Sequence, residues 1–256
     1  MNFTTHQPLL QEITHYWDYR AETYSQENLA ELHSDKSQIW QKVILSHAPH
    51  SDSPLKVLDI GTGPGFFAIL MAQAGHQVTA IDATTNMLEK AKMNAKQAQV
   101  EINFVQGDVH HLPFEAEQFD LIVSRNVTWN LNAPAQAYQD WHRVLKKGGR
   151  LINFDANWYL HLFDEEYQKG FAQDRANTAK NAVVDHYADP NTKKMDDIAR
   201  KLPLSRILRP QWDAQTLLNI GFQQLMIDRQ ISDIVWDFEE KINGASTPMF
   251  MIVTQK

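Results

Sequence analysis

Apolar and polar positions along this chain follow two alternating periods. From about residue 7 to 45 the spacing is helical, with Pro8 suited to a first helical position and Leu10, Ile13, Trp17, Ala21 and Tyr24 recurring on one stripe. The turn-rich segment HAPHSDSP, ending in Pro54, closes that region, and Leu55 to Ile60 follows as a compact apolar run suited to a buried strand. The rhythm then predicts a helix near Phe66 to Ala74 stopped by Gly75, a strand at Gln77 to Ile81, a helix at Thr85 to Ala98 and a strand at Ile102 to Gln106. A strand at Phe119 to Ser124, a helix at Ala133 to Lys146 stopped by Gly148-Gly149, and a strand at Arg150 to Phe154 complete the run. Repeated alternation of this kind predicts an α/β fold, doubly wound, with a mostly parallel sheet covered on both faces.

After Asp155 the rhythm breaks. Residues 156 to about 210 read as helical but aromatic and irregular, and are expected to form an inserted helical cap. Alternation resumes with WDAQTLLNIGF, a helix whose Gly221 supplies a left-handed cap, and two strands around Phe222 to Arg229 and Met249 to Thr254 end the chain. The expected organisation is one domain over 1–256: an N-terminal helical lid at 1–50, a ligand-binding core at 51–155, the cap at 156–210, and a C-terminal helix with two strands at 211–256.

Composition narrows the chemistry. The 256 residues are 43% hydrophobic, enough for one sizeable core. With no cysteine, disulfides, thiolate metal sites and cysteine nucleophiles are excluded, and no metal site is expected. The start MNFTTHQPLL lacks a signal-peptide pattern, and no run reaches the roughly 18 apolar residues of a membrane span, so a soluble, cytoplasmic protein is expected. A net charge of −7 disfavours broad nucleic-acid binding. Nine acidic and nine basic residues between Asp155 and Arg209 make the cap neutral, which does not suit a polyanionic substrate.

The candidate chemistry gathers at three strand ends. In VLDIGTGPG, Gly61, Gly63 and Gly65 allow a tight turn and close approach of backbone to a ligand. The lysine of a phosphate-binding Walker turn is missing, and the spacing is G-x-G-x-G where a dinucleotide fingerprint has G-x-G-x-x-G. Asp59, two residues before the turn, suits a ligand carrying a free ammonium group. Asp82, about 20 residues on, stands where a carboxylate accepts ribose hydroxyls, and Asp108 where one accepts an exocyclic adenine amine. Met87 offers the base a polarizable apolar surface or packs in the core.

VLDIGTGPGFFAILMAQAGHQVTAIDATTNMLEKAK resembles motif I and its acidic follow-up in class I S-adenosylmethionine-dependent methyltransferases. GDVHHLPFEAEQFDLIVSRNVTW resembles the next two motifs and RVLKKGGRLINFD the one after, so the resemblance covers roughly residues 50–155. It implies a Rossmann-like, seven-stranded sheet, S-adenosyl-L-methionine as donor and S-adenosyl-L-homocysteine as product. It implies further that Asp59, Gly61, Thr62 and Gly63 border the methionine portion, Asp82 with Ala83 the ribose, and Asp108 with Val109 the adenine. Arg125 and Asn126 fall where the family places residues near the donor's amino-acid end, although an acid is commoner at the position of Arg125.

The expected function is in-line methyl transfer to a small organic acceptor at oxygen, nitrogen or carbon; a non-catalytic donor-binding sensor is the alternative. Trp17, Arg20 and Tyr24 share a helix face and either close over the donor as a lid or pack the helix onto the sheet. His110 and His111 are the candidate general bases, with a structural role as the competing reading. Trp129, Trp158, Tyr159 and His161 are the candidate acceptor-pocket residues, with cap packing as the alternative for Trp158. The acceptor's identity and the oligomeric state do not follow from these residues.

Overall fold

The computed structural model describes residues 6–188 and 192–256, so the first five residues of the expected lid and residues 189–191 of the expected cap lie outside the described residues. Two helices, α1 (His6–Leu32) and α2 (Lys36–His47), precede the sheet. The expected helical stretch is broken between them by a serine turn: the Ser34 hydroxyl donates to Glu31 O at 2.7 Å and the Ser37 hydroxyl to Ser34 O at 2.8 Å.

Seven strands form one sheet: β1 (Lys56–Ile60), β2 (Gln77–Asp82), β3 (Asn103–Gln106), β4 (Phe119–Arg125), β5 (Leu145–Asp155), β6 (Gln223–Asp228) and β7 (Phe250–Gln255). Their order is β3-β2-β1-β4-β5-β7-β6, parallel from β3 through β5, with β7 antiparallel to both of its neighbours. The intervening helices are α3 (Phe66–Gln73), α4 (Thr85–Gln97), α5 (Pro134–Val144), α6 (Glu165–Asn181), α7 (Thr192–Ala199), α8 (Gln211–Ile220), α9 (Ser232–Val235) and α10 (Phe238–Asn243). No helix among the described residues is long and apolar enough to cross a membrane.

Successive residues of β1 face opposite cores, which is why its run is continuously apolar. Val57 belongs to the core that holds Trp40 of α2 and Phe67 of α3, and Leu58 to the core that holds Tyr138 and Trp141 of α5. Two details differ from the pattern read off the chain. Leu145 and Lys146 belong to β5, whose pairing jumps from Phe119–Leu145 to Leu121–Arg150. The extra residues bulge at Gly148, φ +76°, so the glycine pair kinks the strand instead of stopping a helix. Helices α9 and α10, between β6 and β7, are too short to show a helical period; α10 opens on an Asp237–Glu240 capping box.

The turn after β1 is built by a buried carboxylate. Asp59 Oδ2 accepts from the Thr62 hydroxyl at 2.6 Å and from Ala68 N–H at 3.0 Å, tying the turn to the first turn of α3. Burial pushes Asp59 up to about 7, against the pull of those two donors.

A second buried network joins the segment after α7 to the sheet. Arg209, wholly buried, donates to Asp155 Oδ2 at 2.6 Å and to both Asp213 oxygens at 2.8 and 2.7 Å. Asp155, the last residue of β5, also accepts Trp129 N–H at 2.9 Å and Trp158 Nε1–H at 3.2 Å. Burial alone disfavours the Arg209 cation, but the two carboxylates outweigh it and hold the charge.

Replacing Arg209 by Met strands two buried carboxylates and is expected to cost roughly 3–5 kcal/mol, read from urea unfolding; a loss below about 1 kcal/mol would mean that solvent reaches them. Asp59 gives a pH signature. Between its ordinary value of 3.8 and about 7 the native chain holds a proton that the unfolded chain has released. Its contribution is therefore full at pH below about 4 and is lost as pH rises through about 7. Asp59→Asn should flatten that decline in the urea midpoint, and equal slopes in both proteins would contradict the burial argument.

Candidate functional site

Strands β1 and β4 lie side by side, but the chain leaves them in opposite directions, toward β2 on one side and β5 on the other. At such a point the loops beyond the strand ends part and leave a crevice. A cavity occupies it, bounded by the glycine turn, the ends of β2 and β3, the loop after β4 and helix α1.

The floor is the glycine turn. Gly61 and Gly63 have φ of +63° and +52°, and a Cβ on Gly61 would lie 2.4 Å from Val127 Cγ2 on the loop after β4. At Gly63 the space belongs to Tyr24, whose ring would stand 3.5 Å from an added Cβ. Gly61 and Gly63 line the cavity; Thr62 and Asp59 do not, since their side chains bond to each other behind the turn. Asp59 and Thr62, expected to border a ligand, thus lie beneath the turn and off the cavity lining.

Two carboxylates stand at the ends of β2 and β3. Asp82 Oδ2 accepts Gly63 N–H at 2.8 Å, while Oδ1 accepts the Thr84 N–H at 2.9 Å and hydroxyl at 2.6 Å. Burial pushes Asp82 upward despite these donors. Asp108 Oδ1 accepts the His110 backbone N–H at 2.9 Å and faces His110 Nδ1 at 2.6 Å. Burial raises the Asp108 carboxyl, but the His110 contacts outweigh it and hold the group below its ordinary value. Both carboxylates line the cavity, with Ala83, Met87, Val109 and His110 between them.

The two histidines part company. His110 is 4% exposed and its Nε2 is buried without a hydrogen-bond partner. His111 is exposed, its Nε2 lies 2.9 Å from Gln136 Nε2, and it does not line the cavity.

Beyond β4, Arg125 and Asn126 line the opposite wall. The Arg125 guanidinium is held by Glu31 of α1, with NH1 to Oε1 at 2.8 Å and NH2 to Oε2 at 2.9 Å. It also lies over the Phe66 ring at 4.5 Å. Asn126 adopts φ +59°, and its Oδ1 is buried without a partner, as are Asn130 Oδ1 and Trp17 Nε1 on the same cavity.

Helix α1 is the roof. Leu10, Ile13, Thr14, Trp17 and Tyr24 fall on one helical face and all line the cavity, with the Trp17 and Tyr24 rings 5.6 Å apart. Arg20 lies outside the lining and pairs with Glu27 at 3.9 Å. The helix is fastened along its length. Asp18 Oδ1 accepts Asn86 N–H at 2.9 Å at the start of α4, where the Thr84 hydroxyl is already committed to Asp82. Glu22 pairs with Lys90, and Glu12 with Lys201 at 2.5 Å.

The cap aromatics lie elsewhere. Trp129 stacks on Tyr159 at 4.9 Å and packs with Ile13, Met195 and Ile198, while His161 stacks on Phe171 at 4.0 Å. Burial drives His161 down to about 4. None of Trp129, Trp158, Tyr159 and His161 lines the cavity; they form packed walls beside it, because each ring finds a protein partner. The cavity residues not singled out from the sequence are Leu10, Ile13, Thr14, Thr84, Val127, Asn130 and Leu131. The helical stripe already carried the first two; Val127 and Asn130 have no signal beyond following β4.

Residues 58–153 match the family model of a methyltransferase domain. The chain is 38% identical over 108 residues to the biotin biosynthesis bifunctional protein BioHC of Cellvibrio japonicus, covering 42% of this chain and 21% of that one. It is 36% identical over 102 residues to demethylmenaquinone methyltransferase of Thermotoga maritima, covering 39% and 43% of the two chains. The chain thus spans less than half the length of these curated relatives. Among solved structures, phosphoethanolamine N-methyltransferase 2 of Haemonchus contortus, bound to S-adenosyl-L-methionine, shares the fold at TM-score 0.57 and 16% identity, over 85% of this chain and 52% of that one. Residues 58–153 thus match a methyltransferase domain, and the seven-stranded sheet around them has the fold of the solved methyltransferase structures to which the chain is similar.

Proposed function

We propose that this protein transfers the methyl group of S-adenosyl-L-methionine to a small organic acceptor, at oxygen, nitrogen or carbon, by in-line displacement. One observation carries the reading: a single cavity joins the Gly61–Gly63 turn, the Asp82 and Asp108 carboxylates and a roof of aromatic rings. The fit to the donor rests on groups that the protein leaves unsatisfied there, namely the buried His110 Nε2, Asn126 Oδ1, Asn130 Oδ1 and Trp17 Nε1.

When bound, the donor supplies an electrophilic methyl on a sulfonium. The chain's residues then divide the work. Asp82 receives the ribose hydroxyls, Asp108 with Val109 borders the adenine, and Met87 packs against the base. Gly61 and Gly63 admit the methionine portion, and Arg125 with Asn126 stands at its amino-acid end. The faces of Trp17 and Tyr24 steady the sulfonium, and α1 acts as the lid that excludes water. Alignment and desolvation, more than acid–base chemistry, carry the rate of such a displacement. The domain reads as a lid at 1–50, a core at 51–155, a cap at 156–210 and a closing helix with two strands at 211–256.

A small acceptor suits a cavity roofed by α1, with the Trp129–Tyr159 stack packed against the same helix at Ile13. The polar groups of the lining already hold protein partners: Arg125 pairs with Glu31, Asp108 with His110, and Asp82 accepts from Thr84.

Calorimetric titration with S-adenosyl-L-homocysteine tests the assignment at its centre. Asp82→Ala should weaken binding by about 1–3 kcal/mol, through loss of charge-assisted hydrogen bonds. Unchanged affinity in a variant with unchanged ligand-free melting would remove Asp82 from the ribose site. Transfer of labelled methyl from donor to a metabolite extract tests turnover, and label that never leaves the donor would refute it.

A further inference from the structure

Asp108 is placed to meet an adenine amine, yet Oδ1 of its carboxylate is already taken twice by His110, through the backbone N–H and through Nδ1 at 2.6 Å. An ionised carboxylate only accepts, so Nδ1 carries the hydrogen in this contact. In the neutral imidazole the other nitrogen, Nε2, then presents a lone pair. That atom is buried and unpartnered, in a ring that is 95% enclosed and lines the cavity beside Asp108 and Val109. A buried acceptor without a donor is costly unless a ligand supplies one.

We infer that His110, oriented by Asp108, is a specificity-determining residue that accepts a hydrogen bond from the exocyclic amine of the donor's purine, and so reads adenine. The inference rests on the donor-binding reading above and assigns the ring to recognition of the nucleobase, with no proton transfer from the acceptor. Asp108 then acts as a positioning residue: its Oδ1 fixes which ring nitrogen carries the hydrogen. Val109 O on the same wall is occupied by Trp141 Nε1–H at 2.9 Å, which leaves Asp108 Oδ2 as the rival acceptor that the His110→Leu variant below tells apart.

Two probes separate this role from general stickiness of the site: S-adenosyl-L-homocysteine, and its analogue with hydrogen in place of the purine amine. The parent protein should prefer the amine-bearing ligand by about tenfold or more, the discrimination expected when a buried acceptor loses its only donor. His110→Leu should bring the ratio toward unity, while His110→Gln, whose amide oxygen also accepts, should keep part of it. Ligand-free melting of both variants reports folding, and the Gln variant keeps the test open if the Leu variant unfolds. A tenfold preference that survives in His110→Leu would overturn the role of His110 and leave donor binding standing. Failure of the parent protein to bind either ligand would overturn both readings.

Discussion

The site depends on the divergence of β1 and β4. Because the two strands pair in register from Val57–Leu121 to Ile60–Ser124 and then send their chains opposite ways, no backbone fills the space beyond their ends. The gap stays narrow because Gly61 lets Val127 approach where a side chain would collide. Everything that lines the cavity is hung from this frame. Asp82 and Asp108 come from the strands stepping away on one side, Arg125 and Asn126 from β4 itself, and α1 crosses above. Asp59 secures the turn from below, so a buried carboxyl two residues from the cavity does structural work while the glycines line the cavity.

Hydrogen bonding within the site is layered. The lining carboxylates already serve protein donors: Asp82 holds the turn and the start of α4, and Asp108 holds His110. Each keeps acceptor capacity because a carboxylate offers about four lone-pair sites. A preorganised site of this kind spends little on ordering when a ligand arrives, since its carboxylates are fixed before binding. The Asp155–Arg209–Asp213 network plays a related part at one remove. By holding the Trp129 backbone, Asp155 fixes the loop that carries Asn126, Val127 and Asn130 past the cavity.

Much of this was legible in the chain, for physical reasons. Buried parallel strands are short and apolar on both faces, so β1, β2 and β4 stood out, and the carboxylates at the ends of β2 and β3 followed from sheet geometry. The glycine turn was visible as a pattern, but the division between Gly61 and Gly63 on the cavity and Asp59 behind it was not. Burial and partnership are set by tertiary contacts that spacing alone does not encode. The same limit separated His110 from His111, which are neighbours in sequence with opposite surroundings. The cap aromatics illustrate the converse: a cluster of large rings reads as a pocket until each is seen to have a protein partner.

The fastenings of α1 are unequal along its length. Glu12–Lys201, near one end, has both side chains about half exposed, whereas Glu31–Arg125, at the other, is nearly enclosed at 15% and 13%. Between them, Glu22 is exposed and Lys90 only partly covered. Counter-ions reach and weaken exposed pairs long before enclosed ones. The ion pairs that fasten the helix are therefore sensitive to salt at its N-terminal end, beside α7, and insulated from it at its C-terminal end, while the Ile13 cluster holds the N-terminal half by packing.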